Sequence, residues 1–224
     1  KDIKFLLNPF TFTASITTKD PTIILGDNKL QIRSIKTNIS LNSLIFDEFS
    51  VDELQISTKP ITLNDIILLV RSFKNSAELY LLDKVIKEGF LVADIKIKFD
   101  NQGNIKKDYQ INGFIKNGNL NFLNQLKANN LNLNFDISKN QYSLTKLNVK
   151  INDIKFSSPL IAINEKKDLF YVKGKILNNE RDFNRDELND MFASFLNIPK
   201  IEKVRFGSEN EISFDVNKKL KFNN

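Results

Sequence analysis

The run LNLNFDISKNQYSLTKLNVKI, from Leu131 to Ile151, decides the fold because apolar and polar residues alternate on both sides of a short polar turn. In the first arm the apolar residues share one face of an extended chain: Leu131, Leu133, Phe135 and Ile137. In the return arm the same is true of Leu147, Val149 and Ile151. A period of two residues with one apolar face predicts a β-hairpin whose apolar side needs a cover.

Two strands before this hairpin carry the same pattern. The first places a row of apolar residues on one face: Leu91, Ala93, Ile95, Ile97 and Phe99. The second does the same with Tyr109, Ile111, Gly113 and Ile115. The Asn-Gly pair that follows, Asn117 and Gly118, favours a type I′ turn, so a hairpin is predicted at residues 116–119.

The pattern divides the chain into four segments. Residues 1–59 predict a first β meander, in which 44–46 is one of the strands, and residues 60–88 predict a helical insertion. Residues 89–178 predict a second β meander. Residues 179–224 predict a helix and then a terminal hairpin that turns at 208–210, and this segment is a candidate end cap.

Helix boundaries are predicted from capping signals. Thr62 is a candidate N-cap with Asp65 three residues later, and the inward residues at helical spacing are Leu63, Ile66, Ile67, Val70 and Phe73. A second helix is predicted over residues 76–89, with inward residues Leu79, Leu82, Val85 and Ile86. A third is predicted to begin at Asn184, with Glu187 at its third position and an apolar staple between Phe183 and Leu188.

Composition argues against most catalytic chemistry. The chain has no cysteine and no histidine, which removes the thiolate nucleophile, cysteine metal sites and the commonest general base. The common nucleotide-binding, hydrolase and zinc-protease motifs do not occur. A faint calcium-loop pattern has Ile105 where glycine is required, although its oxygen ligands would be Asp100, Gln102, Asn104 and Asp108. We therefore expect no enzyme, no cofactor and no metal site.

The positive charge is dispersed along the chain. The formal net charge is +6, but the lysines occur singly along the predicted strands, which is typical of a solvated face. We therefore expect no nucleic-acid partner. No apolar stretch approaches the roughly 20 residues that span a bilayer, so a membrane anchor is expected only outside this segment.

The fold class depends on what shields the apolar face from water. About twelve predicted strands outnumber three short helices, which cover only part of a sheet at roughly 4.8 Å per strand and 10 Å per helix. Two answers are open: a closed β-sandwich acting as a structural or adhesion module, or a mainly-β antiparallel meander curled into an open groove (a β-taco) that binds acyl chains. We favour the groove, whose predicted lipid-contacting residues are Leu91, Ala93, Ile95, Ile97, Phe99, Ile111, Ile115, Leu131, Leu133, Phe135, Ile137, Leu147 and Val149.

The order of these elements resembles a known family. A meander ending in FSVDELQISTKPITLNDIILLVRSF is followed by a helix and then by IKIKFDNQGNIKKDYQINGFIKNGNLNF. This order, over residues 1–178, resembles the AsmA-like group of bacterial proteins, which includes TamB and YhdP. In that group an x-V-x-x-L-x-I strand leads through a proline into a short helix, and G-x-I/V-x-x-x-x-L strands follow. The matching residues here are Val51, Leu54, Ile56 and Pro60, then Gly113, Ile115 and Leu120.

The resemblance implies a repeating β-groove in the periplasm, anchored in the inner membrane by a helix outside this segment. Such a groove passes phospholipid between the inner and outer membranes without catalysis. The implied partners are phospholipid acyl chains, the membrane itself and an envelope protein. Residues 179–224 have no counterpart in the family pattern.

Overall fold

The computed structural model describes residues 2–25, 28–46, 48–73, 77–121, 127–151, 154–167, 169–187 and 203–217. These residues form thirteen strands: β1 (Ile3–Asn8), β2 (Thr13–Lys19), β3 (Thr22–Leu25), β4 (Asn28–Ser40), β5 (Val51–Thr58), β6 (Ile61–Thr62), β7 (Ile86–Lys98), β8 (Gln110–Asn121), β9 (Lys127–Ser138), β10 (Gln141–Ile151), β11 (Ile154–Lys166), β12 (Leu169–Asn184) and β13 (Lys203–Asn217). They also form three helices, α1 (Leu41–Ile45), α2 (Leu63–Phe73) and α3 (Ala77–Val85), and a helical turn at 185–187.

All thirteen strands belong to one open antiparallel sheet. Its order is β1-β2-β4-β5-β7-β8-β9-β10-β11-β12-β13, while β3 pairs with β4 and β6 pairs with β7. The end strands β1 and β13 do not pair with each other in the part of the chain that is described, so the sheet is not closed. The predicted fold class, a mainly-β antiparallel meander forming an open groove with about three short helices, is confirmed. Within the described ranges no second sheet faces the first, as a closed sandwich would require.

The ends of the strands form two long edges of the sheet, which are distinct from its edge strands β1 and β13. At one edge, which we call the helical edge, β4, β7, β9, β11 and β13 begin, and α2 and α3 lie there against β7. At the other, the turn edge, the chain reverses between β1 and β2, β4 and β5, β7 and β8, β9 and β10, and β11 and β12. The turn between β9 and β10 is the predicted one, with Lys139 and Asn140 both at positive φ.

A band of β-bulges crosses the strands from β7 to β12. Register shifts occur next to Gly89, Asn117, Asn130 and Lys146, all at positive φ, and again between Ser157 and Ile161. Each bulge adds a residue to one strand, which bends that strand and increases its twist. Bulges at a similar level in successive strands therefore bend the sheet as a whole, and this is how long β-sheets acquire curvature.

Asparagines on the polar face satisfy the backbone groups that the bulges release. The Asn117 N–H donates to Asn132 Oδ1 at 3.2 Å, and the Asn130 N–H donates to Asn119 Oδ1 at 3.1 Å. Asn148 Nδ2 donates to the Lys146 carbonyl at 3.0 Å. An unpaired backbone group would be costly, so the asparagine-rich polar face lets these strands bend without that cost.

Within the described residues, two small apolar cores lie toward the helical edge. The first is formed by buried Leu30, Ile32 and Ile61, on which Ile66 and Leu69 of α2 pack. The second is formed by Ile154 and the fully buried Phe183, whose ring stacks on Phe206 at 4.4 Å between centroids.

The predicted caps are present. Thr62 Oγ1 accepts from the Asp65 N–H at 3.2 Å, so Thr62 is the N-cap of α2. Asn184 and Glu187 form a reciprocal capping box, with bonds of 2.9 and 3.0 Å. The remaining residues predicted for that third helix, from Leu188 to Pro199, lie outside the described residues.

Several predictions about helices and about one short strand were wrong. Residues 44–46 are not a strand, because Ser40 caps a short helix, α1, by accepting from the Ser43 N–H at 3.2 Å. The second helix ends at Val85 rather than at residue 89, because Ile86 already pairs with Leu120 of β8. Two residues predicted to face inward are exposed instead, Val70 by 41% and Leu82 by 46%.

Two predicted hairpins are also wrong. Residues 116–119 do not turn the chain: β8 runs through them, and Asn117 is a bulge residue because β9 continues beside it. The tail is one strand, β13, rather than a hairpin turning at 208–210, because β12 extends to Asn184 and pairs along its length. The segments 154–158 and 160–163, expected as two strands, are likewise one strand, β11.

Candidate functional site

The register of the sheet aligns one residue from each of eleven strands into a single row. The row, which we call the isoleucine row, contains ten apolar or aromatic residues and one threonine: Ile3, Thr18, Ile35, Ile56, Ile95, Ile111, Ile137, Tyr142, Ile163, Val172 and Phe214. Cross-strand neighbours in such a row lie about 5 Å apart and contact one another. The apolar face is therefore continuous from one end of the sheet to the other.

The thirteen predicted groove residues all fall on this apolar face. Direct register pairs connect them, such as Leu91 with Ile115 and Ile115 with Leu133. Beyond the bulge in β10, Leu147 and Val149 return to the same face, opposite Ser158 and Phe156. The structure therefore brings the predicted residues together on one surface.

The burial of this face is incomplete. Ala93 and Leu133 are buried, but Ile95, Ile111 and Ile137 are only half-buried although they lie on central strands. In a closed sandwich the inner residues of central strands would be shielded by a second layer. The chain exposes 15537 Å² in all, whereas a compact monomer of this mass exposes roughly 10,500 Å².

A glycine at the centre of the apolar face leaves room for an aromatic ring of the neighbouring strand. Gly113 pairs with Ala93 on one side and with Phe135 on the other. A Cβ at Gly113 would lie 2.8 Å from Cζ of Phe135, so the aromatic ring occupies the space above the glycine. The Phe135 ring therefore lies along the sheet instead of standing up from it.

The opposite face is polar, and many of its charges are paired. Lys96 Nζ lies 3.0 Å from Glu53 Oε2, and Lys98 Nζ lies 2.7 Å from Asp108 Oδ2. Hydrogen bonding to Lys98 lowers the pKa of the Asp108 carboxyl. Lys175 pairs with Glu209 in the same way. Several lysines that the sequence places on a solvated face therefore have carboxylate partners.

The cavities described for this sheet are shallow and lie mainly on the polar face. One of about 650 Å³ is lined by residues such as Lys173, Lys175 and Glu211. Another, of about 370 Å³, lies between Asp94, Asn112 and Asp136.

The residues that resemble a calcium loop form hydrogen bonds and an ion pair within the protein. Asp100 Oδ1 accepts from the N–H groups of Gln102 and Asn104, both at 2.9 Å. The bond from the Asn104 backbone is the main reason that the pKa of Asp100 is lowered. Asp108 is paired with Lys98. Over the described ranges, no cluster of three or more metal-ligating residues is found.

Several residues of the apolar face were not among those predicted. They come from the first meander, from β10 and from the C-terminal strands, and include Ile35, Leu54, Leu144, Ile161, Val172 and Phe214. The alternation was visible in those strands too. Their register with the central strands was not, because register depends on the partner strand.

Comparison with known proteins returns nothing: no protein-family profile, curated protein or solved structure matches the chain. None of the helices in the described ranges has the length and apolar character needed to cross a bilayer.

Proposed function

We propose that this chain is a lipid-binding groove segment of an AsmA-like protein, which passes phospholipid acyl chains between the inner and outer membranes without catalysis. The observation that carries the proposal is the isoleucine row, an apolar surface that crosses eleven strands and stays half-buried at its centre. We further propose a periplasmic location, with a membrane anchor outside this segment.

The dimensions suit acyl chains. Eleven strands at about 4.8 Å spacing span roughly 50 Å. One leaflet of the bilayer core is roughly 15 Å thick, so the face could hold about three extended chains end to end. Each methylene removed from water contributes about 0.8 kcal/mol wherever it lies along the row. A chain held in this way slides without crossing a large barrier, and head groups stay in water.

The chemistry of the face favours poor head-group selectivity. The polar partners of this sheet lie on the opposite face, where Lys96 and Gln55 both bind the Glu53 carboxylate. The apolar face offers surface area and few directed polar contacts. We therefore expect the segment to bind phospholipids that differ in head group with similar affinity.

The test is lipid extraction from the purified segment, followed by mass spectrometry. We expect copurifying phospholipid in the parent chain and less than a tenth as much in Phe135→Asp, because a carboxylate on this face opposes hydrocarbon. The matched control is Phe114→Asp: Phe114 lies on the neighbouring strand, pairs with Asn134 and points to the polar face. This control should retain its lipid.

A second variant separates binding from folding. Ile95→Asn changes the isoleucine row on another strand, and thermal melting of each variant reports whether the sheet is still folded. Folded Phe135→Asp and Ile95→Asn proteins that carry as much phospholipid as Phe114→Asp would contradict the proposal. So would a parent chain that yields none and takes up none from vesicles.

A further inference from the structure

The turn edge of the sheet changes character along its length. Between β9 and β10 and between β11 and β12 its turns carry exposed lysines, Lys139 and Lys167. The three turns nearer β1 instead carry six exposed apolar residues, which we call the apolar lip: Phe10, Phe12, Ile45, Phe46, Phe49 and Ile105. Phe10 is 97% exposed and Phe46 73%. Apolar exposure on this scale, concentrated on neighbouring turns, marks a contact surface.

Hydrogen bonds join the three turns of the lip into one surface. The Leu41 N–H donates to the Phe12 carbonyl at 3.0 Å, which connects the first turn to the second. The Phe49 N–H donates to the Asn101 carbonyl at 3.2 Å, which connects the second to the third. The Phe49 ring also lies against Gly103, and 5.5 Å from the ring of Phe99 on the apolar face. The lip is thus continuous with the proposed groove.

We infer that the apolar lip inserts into the interfacial region of a phospholipid bilayer and places the side of the groove at the membrane surface. This inference rests on the proposed function and adds where acyl chains enter. Aromatic and aliphatic side chains at the tips of adjacent turns reach a bilayer together, because all three turns lie on the same edge. A continuous apolar path then leads from Phe49 through Phe99 to the isoleucine row.

The charges near the lip specify the kind of membrane contact. Lys106 and Lys107 are exposed beside Ile105, but Glu48 is also exposed and Asp100 carries a negative charge. The described charges of the lip therefore nearly cancel. Attraction to anionic lipid requires an excess of basic residues, so insertion here depends on apolar burial instead. Binding should occur on zwitterionic phosphatidylcholine vesicles, which carry no net charge, and should change little between low and high salt.

The chain contains no tryptophan, so one introduced indole gives a clean reporter. We expect the fluorescence of Phe10→Trp to shift to the blue when phosphatidylcholine vesicles are added, and to be quenched by brominated acyl chains. Phe114→Trp, on the polar face, should show neither change. Vesicle flotation then gives the partition coefficient of each variant.

A matched pair of isoleucines tests the position of the contact. Ile45 on the lip is 67% exposed and Ile24 on β3, toward the helical edge, is 63% exposed. Ile45→Ser should lower vesicle partition about tenfold, since burial of one such side chain is worth a tenfold change or more, while Ile24→Ser should not change it. Both side chains are mostly in water, so neither change should unfold the protein.

Three results would overturn the inference: equal effects of Ile45→Ser and Ile24→Ser, binding that requires anionic vesicles at low salt, or no vesicle binding at all. The last would mean that a protein surface covers the lip. Failure of the groove itself is distinguishable. A chain that copurifies with phospholipid but does not bind vesicles would support the groove and contradict the membrane contact of the lip. A chain that binds vesicles but carries no phospholipid would support the membrane contact and contradict the groove.

Discussion

Replacing Gly113 with alanine tests how tightly the apolar face is built. A Cβ at this position would lie 2.1 Å from the carbonyl oxygen of Val92 and 3.0 Å from Cα of Ala93, which are backbone atoms of the neighbouring strand. No side-chain rotation relieves that contact. Strands β7 and β8 would have to separate locally by about 1 Å, and overpacking of this kind costs about 1–3 kcal/mol.

An opposing effect reduces that cost. Alanine lowers the conformational entropy of the unfolded chain, which stabilises the folded protein by about 0.4–1 kcal/mol. We therefore expect Gly113→Ala to lower the free energy of unfolding by about 1–2 kcal/mol, measured by urea denaturation with circular dichroism. Gly174→Ala is the milder comparison, because its nearest contacts lie at 3.0 Å and include the Ile161 side chain.

A double variant identifies the obstacle. The Phe135 ring also lies close to the added Cβ, but Phe135→Leu removes the ring and leaves the Val92 carbonyl in place. If the backbone is the obstacle, the loss caused by Gly113→Ala stays the same when Phe135→Leu is present. A double variant as stable as Phe135→Leu alone would refute this reasoning and identify the ring as the obstacle.

Two further predictions concern the remainder of the sheet. Phe183→Ala should lower the free energy of unfolding of its region by about 3–5 kcal/mol, because a fully buried ring stacked on Phe206 is removed. Hydrogen exchange should then be faster in β11–β13 and unchanged in β4–β9. A uniform loss of protection would contradict the local character of the meander. Burial tends to raise the pKa of Glu53, but hydrogen bonds from Gln55 and Lys96 outweigh it and hold the pKa below its ordinary value of 4.5. Ionised Glu53 therefore stabilises the fold above about pH 4.5 and loses that contribution as the pH falls through the lower folded pKa. Unfolding measured from about pH 3 to about pH 6 should show a shallower acid limb in Glu53→Gln, and parallel curves would contradict the assignment.

Short-range patterns were sufficient where a feature depends on neighbours along the chain. Period-two alternation predicted which residues of β7, β8 and β9 share the apolar face, since side chains of a strand alternate whatever the partner. The cap at Thr62 and the capping box of Asn184 and Glu187 were also predicted correctly. These bonds span only three residues, so the sequence contains all their components.

Local patterns failed where the same local conformation serves two purposes. An Asn at positive φ occurs in a hairpin turn and in a β-bulge alike, and Asn117 proved to be in a bulge. Likewise, a polar stretch at 208–210 is compatible with a turn, but β12 offers a partner along the whole of β13. In both places the neighbouring strand decides whether the chain reverses or continues.

The sequence by itself determined that this protein is a series of strands with one apolar and one polar face, because alternation and capping are properties of adjacent residues. Only the tertiary structure decided that Ile56, Ile95, Ile111 and Ile137 stand side by side, and that Phe10, Phe46 and Ile105 meet along one edge. Register and shared edges join residues far apart in the chain. They are set by which strands pair and by where bulges shift them, and no local pattern contains that information.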